Sequence, residues 1–419
     1  MKSLLMVAFH YPPDGSSSGV LRSLKFSRYL PAHGWRPHVL TLRESVYPVR
    51  DESLKAQIPA EVTLHRTAGW DTARHFALRG RHLEWMAIPD SYISWLPFAV
   101  RRGLQVIRGA TIDALFSTSP KPTAHLIAAI LKRRTATPWI ADFRDPWIEP
   151  GVYPRPGSAR WRIETRLEAA VIRGASRVTV TTPELREEIL RRYPEVPPDK
   201  VVVVYNGYDE EDFEGLADRA EAPRWFELIH AGMVTPDYRD PAPLLRAVAQ
   251  LCEHGDVSRQ DVRLVFLGAG RYVASPAFRQ TVEALRLGDV VQVAERVAHR
   301  ESLRRLYRAA VLLVLQAEDT QALIPAKAFE YLRVGRPILA LTSGGATARL
   351  MREAGAGTIV EPTSVDAIAA ALRTLYAAWK AKPGHLVRPA DLTRFARASL
   401  AGELARLLDG VSSRTTLVR

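Results

Sequence analysis

A single cysteine, Cys252, occurs in 419 residues. That scarcity excludes an intramolecular disulfide framework and any metal site built from several thiolates, and it fits a reducing compartment. Long apolar runs are missing too: none reaches the roughly 20 residues that a membrane-spanning helix requires. The N-terminal SLLMVAF is only about half the length of a signal-peptide core, so a cytosolic chain without a membrane span is expected. No zinc-finger spacing and no aromatic-basic RNA-binding strand is present, and nucleic acid is not an expected partner. What the chain does have is length and apolar content. At 47% hydrophobic residues it can fill two cores, and 419 residues exceed the size at which one core keeps growing.

The charge is uneven. Residues 1–200 hold 30 Lys and Arg against 19 Asp and Glu, whereas residues 201–419 hold 28 against 26. A basic first half suits an anionic lipid surface or a phosphorylated substrate. The run Lys132–Arg134, the pair Arg101-Arg102 and the aromatics Trp85, Tyr92, Trp95 and Phe98 favour association with an anionic membrane face from the cytoplasmic side. The alternative is a solvated basic surface over ordinary core aromatics.

Short apolar runs alternate with amphipathic stretches. Strands are expected at 4–9, 37–42, 62–65, 114–117, 139–143, 177–181 and 201–205, with helices at 19–33, 92–108, 123–134, 159–173 and 183–192. After the acidic segment 209–221 a second series follows. Its strands are expected at 226–231, 262–267, 290–293, 311–315, 338–341 and 358–360, with helices at 241–254, 275–287, 300–309, 326–334, 346–354 and 365–380. The fold class is α/β: two Rossmann-like, doubly wound parallel sheets facing a cleft, with ligands at the carboxyl ends of the strands. Residues 1–207 form the first domain and 208–388 the second, and a final helix from Pro389 packs back on the first.

Polar residues at strand ends are the candidate site. PAKAFEYLRVGRPILALTSGG, 325–345, places Lys327 and Glu330 on one helix and the amides of Gly344 and Gly345 at the start of the next, where anions bind. A cation, a carboxylate for ribose hydroxyls and an anion-binding turn suit a nucleoside diphosphate; the plainer role for Glu330 is an ion pair with Arg333. Gly232 and Arg239 follow one strand, Gly268 of the GAG turn another, and Arg296 a third. In the first domain, Gly15 to Gly19 with Arg22 form a Gly/Ser turn for a phosphate or the acceptor. Asp142, Arg144 and Asp145 of WIADFRDPW sit at a strand mouth, where unpaired charge is costly; a structural Asp–Arg pair is the alternative. His125 lies on a helix, where either a structural or a catalytic role is open.

YPPDGSSSGVLRSLKFSRYLPAHGWRPHVLT, WIADFRDPW, TVTTPELREEIL, VVVVYNGYD, LVFLGAG and PAKAFEYLRVGRPILA together resemble the family-4 glycosyltransferases of the GT-B fold, over nearly the whole chain. The resemblance implies a nucleoside diphosphate sugar as substrate, UDP- or GDP-linked, held mainly by the second domain. It also implies an acceptor glycan or lipid-linked hydroxyl on the first domain, retention of anomeric configuration, and no metal or other cofactor. Glu330 matches the second of the family's paired glutamates, which meets the ribose. Ala322 stands at the first, Met233 follows Gly232 where a basic residue is usual, and Arg144 stands where a His is often found. In that frame Lys327, Arg239 and the Gly344 and Gly345 amides stabilise the departing diphosphate, and Asp142 or Asp145 orients the acceptor hydroxyl or takes its proton. A sugar-nucleotide 2-epimerase and a non-catalytic binding subunit are the alternatives.

Overall fold

The computed structural model describes residues 1–17, 19–75, 84–148, 154–217, 221–236, 239–316, 321–387 and 391–416. Ser18 of the Gly/Ser turn, the expected boundary at 388 and the expected helix start at Pro389 lie outside them. The chain divides into two compact units, Met1–Asn206 with Arg397–Arg419, and Gly207–Ala396.

The first unit is built on seven strands: β1 (Lys2–Ala8), β2 (Trp35–Leu42), β3 (Thr63–Thr67), β4 (Ala114–Thr118), β5 (Trp139–Phe143), β6 (Arg177–Val180) and β7 (Val201–Val203). They lie in the order β3-β2-β1-β4-β5-β6-β7. Every pairing is parallel. Strands buried on both faces read as near-continuous apolar runs, which is why LLMVA and WIADF are legible in the sequence. The order reverses between β1 and β4, the place where ligands bind in doubly wound sheets. Leu4, Met6, Phe116 and Ile140 share a core with Leu24, Phe26 and Leu30, and with Leu400, Leu404 and Leu408 of the helix Arg397–Thr416.

The second unit repeats the plan with β8 (Phe226–Ala231), β9 (Val262–Leu267), β10 (Val291–Ala294), β11 (Val311–Leu315), β12 (Ile338–Leu341) and β13 (Thr358–Val360). Their order is β10-β9-β8-β11-β12-β13, again parallel throughout, with the reversal between β8 and β11. Its core gathers Leu228, Leu264, Phe266, Leu313 and Leu339 against Leu244, Val248 and Leu251 of the helix Ala242–Glu253.

Several element ends differ from expectation for local reasons. β7 stops at Val203 because the carbonyls of Val204 and Tyr205 turn to accept from Arg22. The helix expected from Tyr92 begins with a 3₁₀ turn at Ile93–Trp95 and becomes α-helical at Leu96, with Pro97 in its first turn. The last helix starts at Arg397, because Asp391 captures the Thr393 amide and Thr393–Phe395 forms a separate 3₁₀ turn. Of the four aromatics expected at a membrane face, Tyr92 and Trp95 are core residues, whereas Trp85 and Phe98 are exposed. Lys132 is likewise committed, to the carbonyl of Gly174. Among the described residues no helix is long and apolar enough to cross a membrane.

Candidate functional site

In the second unit, the end of β8 is fixed by hydrogen bonds of its own backbone amides. The amide of Ala231 donates to the buried Tyr331 hydroxyl (3.0 Å), that of Gly232 to the Leu267 carbonyl (2.8 Å), and that of Val234 to the Ala269 carbonyl (3.0 Å). Gly232 has φ of 110°, and a Cβ there would lie 3.0 Å from the Lys327 ammonium. This position therefore demands glycine twice over, for its backbone and for its neighbour.

Lys327 stands in the first turn of the helix Ala326–Val334 and reaches His230, the buried penultimate residue of β8 (Nζ to Nε2, 3.0 Å). His230 Nδ1 lies 3.0 Å from the Leu313 carbonyl, which can only accept. The imidazole is therefore the Nδ1–H tautomer, and its Nε2 lone pair accepts from the ammonium. Burial and the neighbouring Lys327 charge hold His230 well below its ordinary pKa. Loss of water lowers Lys327 to about 7, reinforced by the charge of Arg239 and opposed by Glu330. Two cations thus converge above a glycine at the carboxyl end of β8, one of them poised to gain or lose its proton near neutrality.

Glu330 follows Lys327 by three residues, so the two share a helix face. Its Oε1 pairs with His299 Nε2 (3.0 Å), and His299 Nδ1 lies 3.7 Å from Asp212. Arg333, the expected structural partner, pairs instead with Glu210 (2.7 Å). Gly268 has φ of 61° and closes against the backbone of the exposed Arg296, with its amide on the Ala294 carbonyl (2.8 Å). The helix Gly345–Glu353 begins one residue before the expected start. One amide of its first turn is already engaged, since Ala346 donates to the Gln321 carbonyl (2.7 Å). Gly345, at φ of 67°, packs so closely on that carbonyl that a Cβ would fall 2.3 Å from it. The Gly344 carbonyl accepts from Thr342 (3.1 Å).

The first unit revises four expectations. Asp142 is fully buried and accepts four hydrogen bonds, two from Arg22 (3.0 and 2.8 Å) and one each from Thr118 (2.7 Å) and Thr179 (2.8 Å). Although burial opposes it, the Arg22 charge and these bonds hold its carboxyl below the ordinary value. Asp142 is thus an acceptor for protein groups, not for a substrate proton. Arg22, expected to meet a phosphate, spends its guanidinium on Asp142 and on the Val204 and Tyr205 carbonyls. Gly15 is pinned to the Val49 carbonyl (2.9 Å) and abuts Asp51, so its amide is committed to the protein. His125 is fully buried, bonded to the Ser117 hydroxyl (2.8 Å) and stacked on Phe143, and burial lowers its pKa to about 3. Its Nε2 is buried with no partner among the described residues.

Arg144 and Asp145 remain. The Arg144 guanidinium lies flat over Gly19 and donates to its carbonyl (2.5 Å), where any side chain at residue 19 would collide with it. Its Nε is buried without a partner among the described residues. Asp145 is half-buried beside that charge. A third group was not visible in the sequence: His10 Nδ1 meets Asp14 Oδ2 at 2.5 Å immediately after β1. His230, His299 and Gln321 were missed as well; only His230, next to Gly232 at the end of an apolar run, left a local signal.

Residues 19–207 match the model of the glycosyl transferase 4-like domain, and residues 226–378 match that of the glycosyl transferases group 1. The chain is 32% identical over 189 residues to D-inositol 3-phosphate glycosyltransferase of Streptomyces scabiei (strain 87.22); the match spans 42% of this chain and 41% of that relative. Among solved structures it is similar to Anabaena Alr3699/HepE in complex with UDP (TM-score 0.61, 15% identity, covering 99% of this chain and 98% of that one). It is also similar to UDP-GlcNAc 2-epimerase of Methanocaldococcus jannaschii (TM-score 0.54, 11% identity, covering 98% and 100%). At such identities the structural likeness speaks for the fold alone. With a 4-like domain followed by a group 1 domain on two doubly wound sheets, the chain belongs to the family-4 glycosyltransferases of the GT-B fold.

Proposed function

We propose that the protein transfers a sugar from a nucleoside diphosphate donor to a hydroxyl of a glycan or lipid-linked acceptor. The observation that carries this reading is the gathering of Lys327 and Arg239 at the carboxyl end of β8, over Gly232 and one helical turn from Glu330. A departing diphosphate gains negative charge in the transition state, and two cations held in a partly dry site stabilise it without a metal. Glu330, positioned by His299, offers a carboxylate to the ribose hydroxyls. The related Anabaena structure holds UDP, which favours a uridine donor over a guanosine one. Retention of configuration is what the family resemblance implies for the stereochemistry.

The acceptor falls to the first unit, and its lipid-linked class is favoured by the exposed Trp70 and Phe98, in ring contact, with the exposed Arg101, Arg102 and Arg108 on the helix of Phe98, and by the exposed Trp85. Flotation with phosphatidylglycerol vesicles measures this part of the reading; equal recovery with neutral vesicles would remove it. The donor is tested by thermal denaturation with UDP, GDP, ADP and TDP, with CMP as control, on the wild type and Glu330→Ala. A ligand that binds only the folded state raises the melting temperature. Stabilisation of the wild type alone by one diphosphate is the expected result, and no stabilisation by any of them would sink the donor assignment. Conversion of UDP-GlcNAc to its 2-epimer with no acceptor present would instead favour epimerisation.

A further inference from the structure

We propose that His230 is the residue that positions Lys327 for the donor diphosphate, an inference that rests on the transfer reading above. The ladder between β8 and β11 joins Leu228 to Val311 and Ile229 to Leu312 and stops there. His230 is therefore the first residue of β8 past the ladder, at the reversal point of the second sheet. Side chains take over where the main chain leaves off. His230 Nδ1 donates to the Leu313 carbonyl (3.0 Å), and the Ala231 amide donates to the Tyr331 hydroxyl (3.0 Å). Tyr331 and Lys327 are four residues apart on the helix Ala326–Val334 and share a face, and Lys327 Nζ meets His230 Nε2 (3.0 Å). One helical face is thus docked on the end of one strand at two points a turn apart.

The contact has a direction. Nδ1 is committed as a donor to a carbonyl, and burial together with the Lys327 charge keeps the ring neutral, so Nε2 offers a lone pair. The ring is fully buried and tied to the sheet, which fixes where that lone pair points. A lysine is otherwise a flexible four-carbon stem, and ordering it only when the ligand arrives would cost affinity. Held by Nε2, the ammonium spends one of its three N–H groups and keeps two for phosphate oxygens. A Cβ at Gly232 would come within 3.0 Å of Nζ, so the glycine leaves the room in which the ammonium stands.

A neutral anchor suits this task. A carboxylate at residue 230 would hold Lys327 as firmly, but it would cancel the charge and compete with the diphosphate for it. An imidazole locked in its neutral form holds the ammonium and leaves its charge to the ligand. Of the charged groups acting on Lys327, Arg239 has the same sign and cannot anchor it, and Glu330 is engaged with His299 (3.0 Å). His230 touches no substrate in this scheme and is a positioning residue.

The two ring nitrogens can be tested apart, because asparagine and glutamine each reproduce one of them. His230→Asn keeps a donor for the Leu313 carbonyl and has no atom at the Nε2 position. His230→Gln reaches the Nε2 position with its amide oxygen and gives up the Leu313 bond. The full chain is titrated calorimetrically with UDP, and with GDP, ADP and TDP in parallel. His230→Asn should weaken diphosphate binding by about tenfold, and His230→Gln should restore most of the affinity despite a lower melting temperature. In a Lys327→Met background His230→Asn should change the affinity no further, because its effect runs through the lysine. Wild-type affinity in His230→Asn, or the same loss from it with and without Lys327, would overturn the positioning role and leave the transfer reading intact. Should His230→Asn fail to fold, His230→Gln decides: affinity near that of the wild type supports the role, and a loss of about tenfold overturns it. Binding of none of the four diphosphates by the wild type overturns both.

Discussion

Lys327 offers the most quantitative handle on the donor site. Its ammonium has a pKa of about 7 in the free protein because it is withdrawn from water and faces Arg239. A diphosphate placed against it restores the charged form, so binding above pH 7 must draw a proton from solution. At pH 8 roughly nine-tenths of the free protein carries a neutral Lys327, and UDP should take up about 0.9 proton on binding. Between pH 7.5 and 9 the affinity should fall by up to about tenfold per pH unit, or about 1.4 kcal/mol, until the pKa of the bound form is reached. The sign follows from the depressed value: the stabilising charge is present below the free-state pKa and must be acquired above it. Titration calorimetry in two buffers of different ionisation enthalpy reads the proton uptake directly, and Lys327→Met should abolish both the uptake and the pH slope. A UDP affinity that is flat from pH 7.5 to 9, with no proton linkage, would refute the placement of Lys327 against the diphosphate.

Other expectations follow from the same geometry. Glu330→Gln removes a charged acceptor and should weaken UDP binding by about 10- to 100-fold, in line with the roughly 1.5–3 kcal/mol typical of hydrogen bonds to charged groups; calorimetry checks it. Asp142→Asn strands the buried Arg22 guanidinium and should cost about 3–5 kcal/mol in denaturant unfolding while UDP affinity is unchanged, because the residue serves the fold. Since the Asp142 carboxyl is held below its ordinary pKa, this stability is present above the unfolded value near pH 4 and is lost as pH falls through the lower folded one, which acid unfolding of wild type and variant would show. Gly345→Ala meets both a left-handed backbone and the Gln321 carbonyl and should lower stability by more than about 1 kcal/mol, measured in the same way.

Much of the architecture could be read from local pattern, because parallel strands covered on both faces must be apolar along their length. Strands such as VLLVL (311–315) and LLMVA leave no other sensible reading, and their alternation with amphipathic stretches implies the doubly wound plan. Lys327 and Glu330 could be singled out because both fall on one helical turn. The readings that changed depended on partners remote in sequence. Asp142 looked available until Arg22, 120 positions away, was seen to saturate it. His299 meets Glu330 across 31 positions. His10 and Asp14 are close in sequence, but the Tyr-Pro-Pro between them reads as turn chemistry, and nothing local shows that the turn folds the imidazole onto the carboxylate.

The helix Arg397–Thr416 is synthesised after the whole of the second unit, yet its Leu400, Leu404 and Leu408 complete the core of the first. The ribosome therefore delivers the two units out of structural order. Residues 207–396 emerge as one uninterrupted segment able to fold on its own, while residues 1–206 must wait with an uncovered apolar strip until the last helix arrives. Nascent chains stalled before residue 397 should accordingly recruit holdase chaperones to the first unit and not to the second. A gene fragment ending near residue 206 would inherit that sticky intermediate as its permanent state.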